Sequence, residues 1–163
     1  MLGKLKGLFG GPEEIVITAP VSGTVITLDQ VPDPTFAQGI LGKGAAIQPS
    51  EGRITAPADG TIDVMFETAH AVSMTTADGA EVLIHVGVDT VSLNGQHYKA
   101  CCKAGDRVKK GDLLIEFEPE AIKAAGYETV TPVIICNTDR YSAVQAAPEG
   151  AVSAGDTLLT LKK

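Results

Sequence analysis

The 163-residue chain predicts an all-β domain, an antiparallel β-sandwich or barrel-sandwich hybrid with an internally duplicated motif and few short helices. Three observations lead there. Aromatic residues make up only 4% of the chain and Trp is absent, while Val, Ile, Thr and Gly recur, a composition suited to short strands joined by turns. Two segments recur: "ITAPVSGTVI" at 17–26 returns as "ITAPADGTID" at 54–63, and "KAGDRVKKGDLLIEF" at 103–117 is echoed by "SAGDTLLTL" at 153–161. Each exists in two copies at irregular spacing, which argues for duplication inside one globule, since a solenoid needs at least about three copies. The length suits one hydrophobic core rather than two.

Along the chain, residues 1–13 stand apart from the rest. Leu2, Leu5, Leu8 and Phe9 fall roughly on one helical face with Lys4 and Lys6 between them. This segment reads either as a frayed tail or as a short amphipathic stretch whose residues 1–11 rest weakly on a membrane surface. Together with Met1 it suggests a free-standing protein. Residues 14–163 read as the single domain. Each copy of the first repeat is a β-run broken by Pro and closed by a Gly turn. A helix is expected over Pro119–Ala125, where Pro occupies the first turn and Gly126 follows the end. No apolar stretch approaches the roughly 20 residues of a membrane-spanning helix. The net charge of −7 and the lack of a basic run exclude a nucleic-acid role. Cys101, Cys102 and Cys136 are odd in number and lack CxxC spacing, which fits a reducing cytoplasm better than a disulfide framework.

The segment "EVLIHVGVDTVSLNG" at 81–95 sets a histidine inside an apolar run. Asp78-Gly79 is a hairpin signal. As a two-residue turn it pairs Ala77 with Ala80, Val72 with His85, His70 with Gly87 and Thr68 with Asp89. Opposed residues share a sheet face, so Thr68, His70, His85, Gly87 and Asp89 project from one side. His70 and His85 become diagonal neighbours roughly 7–8 Å apart at the backbone. Gly87 leaves space beside His70, and His97 after Asn94-Gly95 reads as a loop residue.

Two imidazoles flanked by a hydroxyl and a carboxylate are poor inert core, because each polar group needs a partner. A neutral imidazole nitrogen is a nucleophile near neutral pH. No nucleophile elbow exists, and "GKGAAI" at 42–47 lacks the Lys-Ser/Thr of a nucleotide-phosphate loop. Covalent phosphoryl acceptance by histidine remains, as does zinc held by His70, His85 and Asp89. A zinc-dependent hydrolase is therefore one alternative, although the His-x-His spacing frequent in such enzymes is absent. A biotinyl- or lipoyl-like carrier is another, but Lys109 and Lys110 lie in an ordinary turn.

Seven ordered stretches resemble one family: "APVSGTV", "DPTFAQGILGKGAAI", "APADGTI", "FETAHA", "LIHVGVDTVSLNG", "AGDRVKKGDLLIEF" and "TPVIICN". From about Glu14 onward the chain is similar to the glucose-type IIA phosphocarrier proteins of the bacterial sugar phosphotransferase system. The resemblance implies that His85 is phosphorylated at Nε2 and that His70 is a second active-site histidine. It assigns Thr68 to hydrogen bonding within the site and Asp89 to a contact with a partner or histidine. An apolar docking rim falls by the same resemblance on Phe36, Ile40, Leu41, Phe66, Leu83 and Val91. The implied donor is the histidine-containing phosphocarrier protein, and the implied acceptor is a cysteine on the IIB domain of a membrane sugar permease. No cofactor is required on this reading.

Overall fold

The computed structural model describes residues 14–163. The segment assigned to a tail or membrane-surface contact lies outside the described residues. Fourteen short strands dominate: β1 (Glu14–Thr18), β2 (Gly23–Ile26), β3 (Lys43–Pro49), β4 (Arg53–Thr55), β5 (Gly60–Met65), β6 (Ala71–Thr76), β7 (Glu81–His85), β8 (Tyr98–Ala100), β9 (Arg107–Val108), β10 (Leu113–Phe117), β11 (Thr131–Ile135), β12 (Ala143–Ala146), β13 (Gly150–Val152) and β14 (Thr157–Lys162). Two short α-helices join them, α1 (Pro34–Ala37) and α2 (Pro119–Ala124). The second matches the expected helix to within a residue, and Gly126 follows it with φ +93°. No described helix is long and apolar enough to cross a membrane.

All strand pairs are antiparallel. They form an eight-stranded sheet in the order β13-β2-β3-β11-β7-β6-β5-β9 and two three-stranded sheets, β1-β14-β12 and β4-β10-β8. The main core is enclosed between them, with Ile17, Ile47, Ile54, Ile62, Ile84, Leu114, Ile115, Leu158 and Leu161 fully buried. Alternation along β3 and β11 sends Ala46 and Ile134 to the opposite face, where they meet Val31, Phe36, Val88 and Val130 in a smaller cluster.

The duplication appears as a near-twofold exchange of hydrogen bonds. Thr18 donates from both its backbone N–H and its hydroxyl to the Pro57 carbonyl, at 3.0 and 2.9 Å. Thr55 donates both to the Pro20 carbonyl, at 2.8 and 3.2 Å. Ala19 and Ala56 donate to the carbonyls of Asp156 and Asp112, and their own carbonyls accept from Gly155 and Gly111. In each Gly-Asp turn the carboxylate accepts from the backbone three residues earlier, Lys109 or Ser153. Gly23 and Gly60 close the two copies, because a side chain at either would meet a neighbouring strand's carbonyl, 1.9 Å from Gln48 O or 2.3 Å from Thr75 O.

Candidate functional site

The hairpin of β6 and β7 carries the histidines, and its register differs by one residue from the expectation. Ala71, not Val72, pairs with His85, and Ser73 pairs with Leu83. The turn is the reason. Thr76 and Ala80 close a three-residue loop in which Gly79 has φ +94° and its N–H donates to Thr76 O at 2.9 Å, and Ala80 N–H donates to the Thr76 hydroxyl at 3.0 Å. This is a turn followed by a left-handed glycine bulge, a known alternative to the two-residue turn. The Asn137 amide fixes it from just beyond the end of the neighbouring strand β11, donating to Gly79 O and accepting from Glu81 N–H, both at 2.9 Å.

A slipped register would send the histidines to opposite faces if both lay within the pleat. His70 does not. It ends the turn between β5 and β6, immediately after Ala69 at φ +58°, so strand alternation does not govern its side chain. The Val86 N–H donates to the His70 carbonyl at 2.6 Å, tying the turn to the end of β7. The two rings meet edge to face with centroids 4.9 Å apart. Phe36 packs on the His85 ring at 5.0 Å and Phe66 on the His70 ring at 5.4 Å.

Each ring has one nitrogen tethered. His85 Nδ1 lies 2.7 Å from the Gly87 carbonyl oxygen. A carbonyl only accepts, so Nδ1 carries the proton and Nε2 keeps a free lone pair. Gly87 thus supplies a main-chain acceptor rather than empty space; at φ +94°, a side chain there would strike Thr90 and the Glu128 carbonyl. His70 Nδ1 lies 2.5 Å from Thr68 Oγ1. When the hydroxyl donates, Nε2 of His70 carries the proton and becomes a donor.

Burial, reinforced by the neighbouring His85, lowers the His70 pKa from 6.5 to about 4, so this ring is neutral near pH 7. Burial also pulls the His85 pKa down, opposed by the Gly87 carbonyl and the carboxylates of Asp33 and Asp89. Asp33 was not anticipated. It caps α1 by accepting from Thr35 N–H at 2.9 Å, and the Asp-Pro pair ahead of "TF" is the signature that would have marked it.

Asp89 stands outside the strand ladder, exposed and left-handed at φ +59°, rather than opposite Thr68. Its carboxylate is close enough to bias His85 electrostatically, yet no group of three or more metal-ligating side chains exists among the described residues. The alternative zinc set of His70, His85 and Asp89 is therefore not assembled among the described residues; both Nδ1 atoms are engaged and Asp89 is exposed. His97 is half-buried and paired with Glu118 at 3.2 Å, away from the histidine pair's hydrogen bonds.

Of the residues assigned to the rim, Ile40 is 67% exposed, Val91 53%, Leu41 38% and Phe66 37%. Two residues assigned to the rim are less exposed than these four. Phe36 is only 4% exposed because it forms the smaller core beneath His85, and Leu83 is partly buried against the same cluster. Val64 is also exposed, at 47%, because a bulge between Ile62 and Val64 breaks the alternation that would bury it.

The structure is similar to glucose permease IIA from Mycoplasma capricolum, with a TM-score of 0.85 and 31% identity over 93% of this chain and 97% of that one. The PTS system glucose-specific EIIA component of Halalkalibacterium halodurans is 42% identical, the match covering 98% of this chain and 92% of that protein. The PTS system beta-glucoside-specific EIIBCA component of Dickeya chrysanthemi is 44% identical over 99% of this chain, which spans 26% of that longer protein. The family model for phosphoenolpyruvate-dependent sugar phosphotransferase system, EIIA 1, matches residues 15–141, and the chain belongs to that family.

Proposed function

We propose that this chain is a phosphoryl carrier that receives a phosphoryl group on His85 Nε2 from the histidine-containing phosphocarrier protein and delivers it to a cysteine of a sugar-specific IIB domain. The observation that carries this reading is the His85 Nδ1 contact to the Gly87 carbonyl, which leaves Nε2 unprotonated beside a second, neutral imidazole. In the first step the Nε2 lone pair attacks phosphorus while the bond from phosphorus to the donor's imidazole breaks, the donor ring keeping that electron pair. The His85 ring gains positive character as the new bond forms. The Gly87 carbonyl and the Asp33 and Asp89 carboxylates favour that charge, the same influence that raises the ring's proton affinity.

His70 acts as a neutral donor. With Thr68 holding its Nδ1, the Nε2–H is available to a phosphoryl oxygen without contributing a full charge that would trap the group. In the second step a cysteine thiolate attacks phosphorus, the Nε2–P bond breaks, and His85 recovers its lone pair. The exposed Ile40, Leu41, Phe66, Val91 and Val64 provide the apolar docking surface for both partners. The site of action is the cytoplasmic side of a sugar permease, and the IIB domains to test first are those for glucose and β-glucosides, the sugars named for the relatives.

The test is a relay supplied with phosphoenolpyruvate and the purified donor proteins. The unaltered chain is expected to acquire acid-labile phosphate on His85 and His85→Ala none; equal labelling of His85→Ala overturns the reading. His70→Gln is expected to accept phosphate but pass it to a IIB domain about 10²-fold more slowly, the scale of losing one preorganised donor.

A further inference from the structure

The main chain of Val86 joins the two histidines, and both its N–H and its carbonyl are fully hydrogen-bonded. Its N–H donates to the His70 carbonyl at 2.6 Å. Its carbonyl accepts two hydroxyls at once, Thr90 Oγ1 at 2.8 Å and Tyr98 Oη at 2.7 Å. A carbonyl oxygen has two lone pairs, so the acceptor is saturated. Thr90 is wholly buried, and its methyl group stands where a side chain on Gly87 would be, so it bounds Gly87 as well as bonding Val86. Tyr98 reaches in from β8, eight residues beyond the 3-10 turn's first residue Thr90, with its ring stacked on Phe117 at 6.3 Å and 21°.

This node lies between the reacting ring and the atom that sets its tautomer. His85 precedes Val86 and Gly87 follows it. Displacing the main chain at Val86–Gly87 would carry the Gly87 carbonyl off His85 Nδ1, and the Nδ1 proton would then be free to move to Nε2. Burial pushes the Tyr98 hydroxyl up to about 12, so it keeps its proton, and thus its donor role, across the physiological range.

We infer that Tyr98 is a positioning residue for the histidine pair, acting with Thr90 through the Val86 carbonyl to hold the Gly87 carbonyl on His85 Nδ1. It touches neither the ring nor a phosphoryl group. Its role in transfer rests on the phosphocarrier reading above; its control of the tautomer does not. Nothing in the 81–95 motif announces it, because the hydroxyl comes from the following strand.

The experiment uses Tyr98→Phe, which deletes one oxygen and keeps the stacked ring, and Thr90→Val as the partner variant. Nitrogen-15 spectra of the unphosphorylated protein report the tautomer of each imidazole. In the unaltered chain the His85 Nδ1 signal is expected in the protonated range and Nε2 in the unprotonated range. In Tyr98→Phe both are expected to move toward a common intermediate value, with phosphate uptake from the phosphorylated carrier protein slowed about three- to tenfold, the scale of one hydrogen bond. Thr90→Val is expected to move the same signals in the same direction. Unmoved His85 signals in Tyr98→Phe overturn the inference whatever the rate does, since a rate loss alone is what general loosening gives. Moved signals with an unaltered rate overturn the role in transfer. If the unaltered chain itself takes up no phosphate, the phosphocarrier reading fails, and the nitrogen signals alone decide the inference.

Discussion

The two copies of "ITAP" open onto different connections, and the difference separates scaffold from chemistry. Up to β2 and β5 they match bond for bond: Thr18 to Pro57 and Thr55 to Pro20, Ala19 to Asp156 and Ala56 to Asp112. After β2 the chain makes a long excursion through α1 before β3 begins at Lys43, whereas after β5 it turns back at once through Phe66–His70 into β6. The excursion delivers Phe36 and Asp33 to His85. The tight turn delivers His70 to the same ring, with Thr68 held on His70 Nδ1. The symmetric parts bear the fold, and the candidate site forms where the symmetry stops.

That contrast is open to attack at several strengths. The largest effect is expected from the excursion. Phe36→Ala empties the smaller core and should lower stability by about 3–5 kcal/mol, while Phe66→Ala, its half-exposed counterpart on His70, should cost less than about 1 kcal/mol. Denaturant unfolding measures both, and equal losses would contradict the assignment of one to core and the other to surface.

Next comes pH. The folded His70 ring resists protonation until about pH 4, whereas the unfolded one protonates near 6.5. Between those values the unfolded state binds the extra proton, so stability falls as pH falls, by on the order of 3 kcal/mol, and levels off below pH 4. Urea midpoints measured across this window should flatten in His70→Gln. An unchanged slope would show that His70 is not the group excluded from protonation.

The smallest effects belong to the symmetric half of the comparison. Thr18→Val and Thr55→Val each delete one hydroxyl bond to the opposite copy's proline and should each cost about 1 kcal/mol. Neither should alter phosphate uptake. A rate effect confined to one of them would show that the duplicated scaffold is not functionally equivalent.

Much of the architecture was legible in the chain because its signals are local. Pro119 and Gly126 bracket α2, and the paired "AP..G" and "GD" segments are the turns that mate across the duplication. The histidine pair was legible too, but through a register one residue from the real one. Asp78-Gly79 suits a two- or a three-residue loop, and the choice was settled by Thr76 and Asn137, the latter distant in sequence. The pair meets because Ala69 takes His70 out of the pleat, a backbone feature that an alanine does not advertise. The rim was only partly readable for a related reason: Phe36 is drawn into the smaller core beneath His85, and a bulge inside β5 exposes Val64. Asp33 and Tyr98 came from outside the motif and were invisible to it.

The acceptor for His85 Nδ1 belongs to the main chain, and that changes what inheritance can alter. No codon change removes a carbonyl. Substitution at position 87 disturbs the arrangement only by displacing backbone, against Thr90 and Glu128. Which His85 nitrogen keeps its lone pair is therefore set by where the backbone lies, and side chains such as Tyr98 and Thr90 influence it only through the main chain they hold.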